Sequence, residues 1–287
     1  MHFISKEGIA LSIGELAKKA QIVRCNILRM VSKAGTGHIG PSLSIVDILV
    51  VLYFSKMRHR PEDPSWEDRD RLILCKGHAA PALYAVLAEA GYFPKEELLT
   101  LRKFGSRLQG HPSLKLPGID APTGSLGQGL SIANGMALAA KLGGKKYRIY
   151  ALLGDGECDE GQIWEAAMTA AHYKLDNITA IIDRNSLQSD GPTEIIKTKE
   201  PLSEKWRAFG WAVIEIDGND LFQISMALDK AKSIIDRPSV IIARTVKGKG
   251  VPFIEGDNRF HSKLPTNELL EMALRELSNA SPFDFDY

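Results

Sequence analysis

The chain has 287 residues, 44% hydrophobic and 25% charged, with a formal net charge of +1. Acidic and basic residues are well mixed, so no net field invites a nucleic-acid or anionic-membrane partner, and the length is ample for a large buried core. Three widely spaced cysteines, Cys25, Cys75 and Cys158, contain no C-x-x-C pair, which argues against a disulfide framework or a zinc site.

Taken in chain order, MHFISKEG shows no basic segment followed by an apolar stretch, so a cytoplasmic location is expected. Ile13, Leu16, Ala20, Val23, Ile27 and Val31 recur at helical spacing and predict an amphipathic helix. The following GTGHIG, residues 35–40, satisfies G-x-G-x-x-G. A dinucleotide loop, however, needs a strand before it and an acid about 20 residues later. Here a helix precedes it, and YFSKMRH follows at that distance. Gly35 or Gly37 instead reads as a left-handed helix cap, which leaves His38 without an explanation. Ser44 with Asp47 resembles a capping box opening the next helix. The apolar run Ile45 to Phe54 is broken by Asp47 and is read as too short to span a bilayer.

From there apolar runs alternate with helical ones. RLILC (71–75), YRIYALL (147–153), ITAIID (178–183), WAVIEID (211–217) and SVIIART (239–245) read as strands. APALYAVLAEAG, QIWEAAMTAAHY and LFQISMALDKAKSII between them read as helices. This order predicts an α/β fold, a mainly parallel β-sheet with helices on both faces, with residues 1–287 forming one domain. The stretch 105–127, rich in Gly, Pro and Ser, reads as a functional loop, and the tail after Leu264 as a surface helix with a frayed end.

Four of the strands run into polar motifs: KGH, GDGE, RNS and TVKGKG. Ligands bind outside the carboxyl ends of strands in such sheets, so these motifs predict one shared cleft. In LLGDGECDEGQIWEAA, Gly154 and Gly156 allow close backbone approach to a phosphate beside a helix N-terminus. Asp155 suits a hard divalent cation; Asn185 at the next strand end and a backbone carbonyl after it would complete an oxygen shell for Mg²⁺. GDG alone is equally an ordinary tight turn. Cys158, inside the same loop, is not expected to ligate because Mg²⁺ prefers oxygen.

The pairing of GDG with NSL resembles the metal and diphosphate motif of thiamine-diphosphate enzymes. GHIGPSLS (37–44), KGHAAPALYA (76–85), GHP (110–112), TGSLGQGLS (123–131), GDGECDEGQIWEA (154–166), DRNSLQSDG (183–191) and KGKGV (247–251) narrow the resemblance to transketolase. It covers only the diphosphate-binding half of a full-length transketolase, so the chain resembles the N-terminal subunit of a split enzyme. The resemblance implies a PP-type domain binding thiamine diphosphate and Mg²⁺ (or Ca²⁺ or Mn²⁺). Metal oxygens fall on Asp155, Asn185 and the Leu187 carbonyl, and cofactor contacts on His78, Gly124, Ser125, Leu126, Asp155, Gly156, Glu157, Asn185, Leu187 and His261. It places His38, His78, His111 and His261 at the reacting sugar, where imidazole suits proton transfer near neutral pH.

Glu160 matches a glutamate at the interface between subunits, although an exposed acid at a helix start needs no partner. Lys247 and Lys249 read either as a phosphate grip or as a solvated turn, while His2, His59 and His172 match no motif and read as ordinary hydrogen-bonded residues. Ile39, Pro41, Phe260 and Ser262 depart from the family pattern, the last two beside His261.

By this resemblance the family's pyrimidine-binding and C-terminal domains, with the glutamate that activates the cofactor, are expected on another chain. The implied partner is therefore a C-terminal transketolase subunit carrying them, in an α2β2 assembly that transfers a two-carbon ketol unit between sugars or sugar phosphates. Pentose phosphates, an apiose-derived sugar phosphate and a sulfo-sugar all remain open as substrates. The alternatives are another thiamine-diphosphate enzyme's subunit (2-oxoacid dehydrogenase, deoxyxylulose-phosphate synthase) or a non-catalytic binding role.

Overall fold

The computed structural model describes residues 11–279; His2 and the end of the tail lie outside this range. Helix α1 (Ile13–Ala34) opens with a reciprocal cap, in which Ser12 Oγ accepts from Glu15 N and the Glu15 carboxylate accepts from Ser12 N. It closes at Gly35, whose φ of +66° is the expected left-handed cap. Helices α2 (Ile39–Leu43) and α3 (Val46–Val51) follow, and α3 runs into a π-turn, Leu52–Lys56.

The expected Ser44–Asp47 capping box does not form. Ser44 Oγ donates instead to Pro41 O and Asp183 Oδ2, while Asp47 accepts from Arg24 and Asn219. Long-range partners for buried polar groups outcompete the local cap. Among the described residues one helical stretch, 39–56, is long and apolar enough by length and composition to cross a membrane, longer than the run read from the sequence. It is packed inside the protein: every residue of α3 is buried, which accounts for apolar side chains all round it.

The chain continues through β1 (Arg71–Leu74), α4 (Ala80–Ala90), a long loop, α5 (Gln128–Leu142), β2 (Ile149–Gly154), α6 (Gly161–His172) and β3 (Ile178–Arg184). A small hairpin, β4 (Leu187–Gln188) with β5 (Gly191–Pro192), leads to α7 (Thr193–Ile196) and α8 (Leu202–Ala208). Then come β6 (Ala212–Asp217), α9 (Leu221–Ser233), β7 (Ser239–Arg244) and α10 (Asn267–Asn279). All five predicted strands are present and pair in parallel in the order β1-β2-β3-β7-β6.

Side chains alternate across a sheet, and this alternation divides the interior. Leu72, Leu74, Tyr150, Leu152, Ile181, Ile241 and Ala243 join a core shared with α1, α3, α4, α9 and α10. Ile73, Ile149, Ala151, Leu153, Ala180, Ile182, Val240 and Ile242 join a second core with α5, α6 and α8. Both faces are covered, so the strands carry near-continuous apolar runs. Burying each such Leu, Ile or Val contributes about 1.5–3 kcal/mol. In α1, Leu16, Ala20, Val23, Ile27 and Val31 form the buried stripe, and α10 lays Ala273 and Leu277 against the same core.

Candidate active site

Parallel pairing of β1, β2, β3 and β7 as neighbours brings their carboxyl ends to one edge. There the motifs meet around a carboxylate that no motif singled out. Asp183, fully buried at the end of ITAIID, accepts from Ser44 Oγ at 2.8 Å, Asn185 Nδ2 at 2.8 Å, Lys76 Nζ and Thr245 Oγ1. It thus ties the ends of β1, β3 and β7 to the loop before α3. The Lys76 cation beside it holds its carboxyl below the usual range although burial acts the other way. The available signal was an acid ending a largely apolar strand, with a lysine just after RLILC at the end of another; a buried charge at such a place requires a partner.

Glu157 is turned inward. Its Oε1 accepts from Gly127 N at 2.9 Å and its Oε2 from Gly154 N at 3.1 Å, and only 2% of the residue is exposed. In this arrangement both oxygens brace one glycine loop against the other. Burial pushes its carboxyl up to about 7. The brace needs Gly127, whose φ is +88° and where a Cβ would stand 2.8 Å from Glu160 Cβ. Gly124, Ser125 and Leu126 are exposed on the loop so held. Gly156 packs against Gln188, leaving no room for a Cβ.

Three of the four singled-out histidines form one cluster. Ring centroids lie 5.1 Å apart for His38 and His78, 5.5 Å for His38 and His261, and 5.4 Å for His78 and His261. Lys247 Nζ lies 2.8 Å from His261 Nδ1. An ammonium can only donate, so Nδ1 accepts and the neutral ring carries its proton on Nε2. Burial, reinforced by nearby cations, lowers His38 to about 4, His78 to about 2 and His261 to about 3, so all three are neutral at pH 7. His111 is exposed at the rim beside Gly124, where a Cβ would meet its ring at 3.3 Å; burial and then Arg102 lower it. The departures at Phe260 and Ser262 do not displace His261: Phe260 is buried against Phe253.

Lys247 is only 2% exposed, which rules out the solvated-turn reading for it; its ammonium reaches Asn258 Oδ1 and Leu187 O besides His261, and burial lowers it to about 8. Lys249 pairs with Glu255. The two lysines do not form a joint grip.

The three oxygens read as metal ligands come from the ends of two neighbouring strands, Asp155 after β2 and Asn185 and Leu187 after β3, and each accepts a protein donor. Asp155 Oδ1 accepts from Gly156 N at 2.8 Å, and Oδ2 from Ser186 N at 2.7 Å and Arg184 Nη1 at 3.1 Å. Asn185 Oδ1 accepts from Leu187 N, and Leu187 O from Lys247. Among the described residues no group of three or more His, Cys, Asp or Glu could hold a metal. Cys158 is buried, its thiol donates to Gly154 O, and burial pushes it up. His59 is half-buried and bonded to Tyr53 O and the Tyr92 hydroxyl, and His172 packs edge-on to Tyr173. Glu160 is exposed at the start of α6 and makes no side-chain cap bond.

Two observations fit a diphosphate-bearing cofactor. Lys76 and Lys247 are buried close enough that Lys76 lowers Lys247, an arrangement an anion would relieve. His38 Nδ1 and, on the glycine loop, Thr123 Oγ1 are buried without a hydrogen-bond partner among the described residues.

Residues 16–280 match the family of the transketolase thiamine diphosphate binding domain. The chain is 48% identical to a 6-deoxy-6-sulfo-D-fructose transketolase subunit, SqwG, from a Clostridium species, covering 92% of this chain and 96% of that protein. It is 47% identical to an apulose-4-phosphate transketolase subunit from Actinobacillus succinogenes, covering 94% and 98% respectively. The crystal structure of transketolase from Campylobacter jejuni superposes with a TM-score of 0.89 at 34% identity, covering 93% of this chain but 43% of that one. The chain thus spans less than half of that transketolase and nearly the whole of the two subunits.

Proposed function

The chain belongs to the transketolase family through its thiamine diphosphate binding domain, and from that premise we propose that it is the cofactor-holding subunit of a two-chain transketolase. The observation that carries the reading is the convergence of His38, His78 and His261 on the edge where the β1, β2, β3 and β7 loops meet. Residues 1–287 act as a single diphosphate-binding domain.

The Gly124–Leu126 loop, Gly156, Asn185, His78 and His261 would hold thiamine diphosphate. Mg²⁺ would take oxygens of Asp155, Asn185 and Leu187 together with those of the diphosphate, since hard cations select oxygen. In that reading Arg184 and Lys247, now donating to Asp155 and Leu187, yield those contacts to the ion. When bound, thiamine diphosphate supplies the carbanion chemistry that the side chains cannot.

The protein groups orient the sugar and move protons. His261, with its proton fixed on Nε2, donates there to a substrate oxygen. His38 and His78, neutral, accept or return hydroxyl protons, and His111 at the rim binds a hydroxyl of the transferred unit. A partner chain supplies the remaining half, including the glutamate that activates the cofactor, in an α2β2 assembly with Glu160 at the interface. The donor is a ketose bearing an anionic terminal group, phosphate or sulfonate, the feature shared by the sugars named for the two similar subunits.

The test is a donor panel on the assembled pair: xylulose 5-phosphate, apulose 4-phosphate, 6-deoxy-6-sulfofructose and an uncharged ketose. Ketol transfer from at least one anionic donor, with the uncharged one much slower, supports the proposal. Cofactor binding without transfer from any donor would reject it.

A further inference from the structure

Arg102 is one of four non-glycine residues with positive φ among the described residues, at +58°. That backbone costs an L-residue about 1–2 kcal/mol. Its N–H donates to Leu108 O at 2.7 Å, closing a turn, and its side chain folds back toward the site. Nη1 donates to Thr36 Oγ1 at 2.7 Å, two residues before His38. The guanidinium lies against Gly110, one residue before His111, where an added Cβ would come within 2.7 Å of Nη2. One side chain therefore spans the His38 loop and the His111 loop, and Gly110 makes the space for it.

The rest of its surroundings do not explain why it is kept there. No carboxylate pairs with Arg102 among the described residues, whereas Arg24, Arg69 and Arg107 each have one and Arg184 has three. A guanidinium has five N–H groups, and this one uses a single protein acceptor. A half-buried cation without a counter-charge, on a backbone that glycine would occupy more easily, is strain retained at a site.

We propose that Arg102 is a positioning residue of the ketol-transfer site, a bridge that sets the separation of His38 and His111 and whose charge acts on both rings. Its charge is the largest non-burial influence lowering each ring's affinity for protons. The other charged or titratable groups facing His38 are His111, Lys76 and Lys247, with the rings of His78 and His261 in contact. His111 in turn faces the His38 and His78 cluster. What the two histidines do rests on the transketolase reading; the bridge itself does not.

Arg102→Gly, Arg102→Gln and Arg102→Lys in the assembled enzyme test this, beside histidine-labelled NMR titration of the full chain. Arg102→Gly is expected to lower kcat about 10- to 100-fold with donor KM nearly unchanged. Its Tm should hold or rise because glycine removes the left-handed strain. The acid limb of kcat/KM, and the NMR midpoints of His38 and His111, should move up by about half a unit to one unit in the Gly and Gln variants, and Arg102→Lys should restore the limb but not kcat. A fall in Tm with unmoved midpoints, activity following only the folded fraction, would overturn the inference. Moved midpoints in the variants, with no ketol transfer by the wild-type pair, would keep the bridge and reject the transketolase reading. Normal transfer with unmoved midpoints would do the reverse.

Discussion

The inner wall of the cleft and its outer rim are built differently. On the wall, Lys76, Asp155, Glu157, Asp183 and Lys247 are at most 2% exposed, and each has its partners within this chain. On the rim, His111, Gly124, Ser125, Leu126 and Glu160 are exposed, and Phe104 projects fully into solvent nearby. The wall has the properties of a built interior, with its buried polar groups hydrogen-bonded. The rim presents site residues on loops and a helix start, as a surface awaiting a second chain would. In the proposed reading, holding a diphosphate and completing the reaction are divided between two chains, and this one carries the first.

The comparison breaks most visibly at Asp183. Asp183→Ala leaves Lys76 buried without its carboxylate and should cost about 3–5 kcal/mol, read by urea unfolding of the isolated chain. An unchanged midpoint would mean the wall is not held as described. Asp155→Ala should weaken thiamine diphosphate binding in the presence of Mg²⁺ by about 10- to 100-fold in the assembled pair, read by calorimetry. Equal affinity would remove Asp155 from the metal proposal.

Acid should destabilise the fold through its buried neutral histidines. His38, His78 and His261 are held below the ordinary value of 6.5, at about 4, 2 and 3, so the unfolded chain binds their protons first. Their contribution is full above pH 6.5 and is lost as pH falls toward those values. Glu157, raised to about 7, has the opposite sign: its contribution is present below 4.5 and lost as pH rises through 7. Three groups against one leave a net fall in Tm between pH 7.5 and 5, and His78→Gln should flatten it; a slope unaffected by that change would contradict the buried-neutral cluster. The smallest effect belongs to the rim. Glu160→Ala should change the isolated chain by no more than about 0.5 kcal/mol, because the side chain is exposed and caps nothing. The same change should weaken association with the partner; equal association would leave Glu160 as a plain helix-start acid.

Much of this was legible in the residues. Strand runs apolar on both faces mark a covered parallel sheet, and polar motifs at four of their ends mark the edge where a cleft forms. The Asp183 hub was not legible, because its partners Ser44, Lys76 and Thr245 come from three distant segments that only the sheet order brings together. The Ser44–Asp47 spacing suggested a local cap that long-range burial overrode. Glu157 sat inside a cofactor motif, and nothing in the string GDGE distinguishes an inward brace from an outward contact. Arg102 was hidden for a related reason: its left-handed backbone and its reach to Thr36 are properties of the folded loop.

The central claim is that a complete diphosphate wall and an incomplete reaction centre share this chain. It is tested most directly by ketol transfer from xylulose 5-phosphate to ribose 5-phosphate, with the anionic donor panel run alongside, in thiamine diphosphate and Mg²⁺. The chain would be assayed alone and then mixed with its candidate C-terminal subunit. The account predicts no transfer by the chain alone and transfer by the mixture from at least one donor; transfer by the chain alone would contradict it.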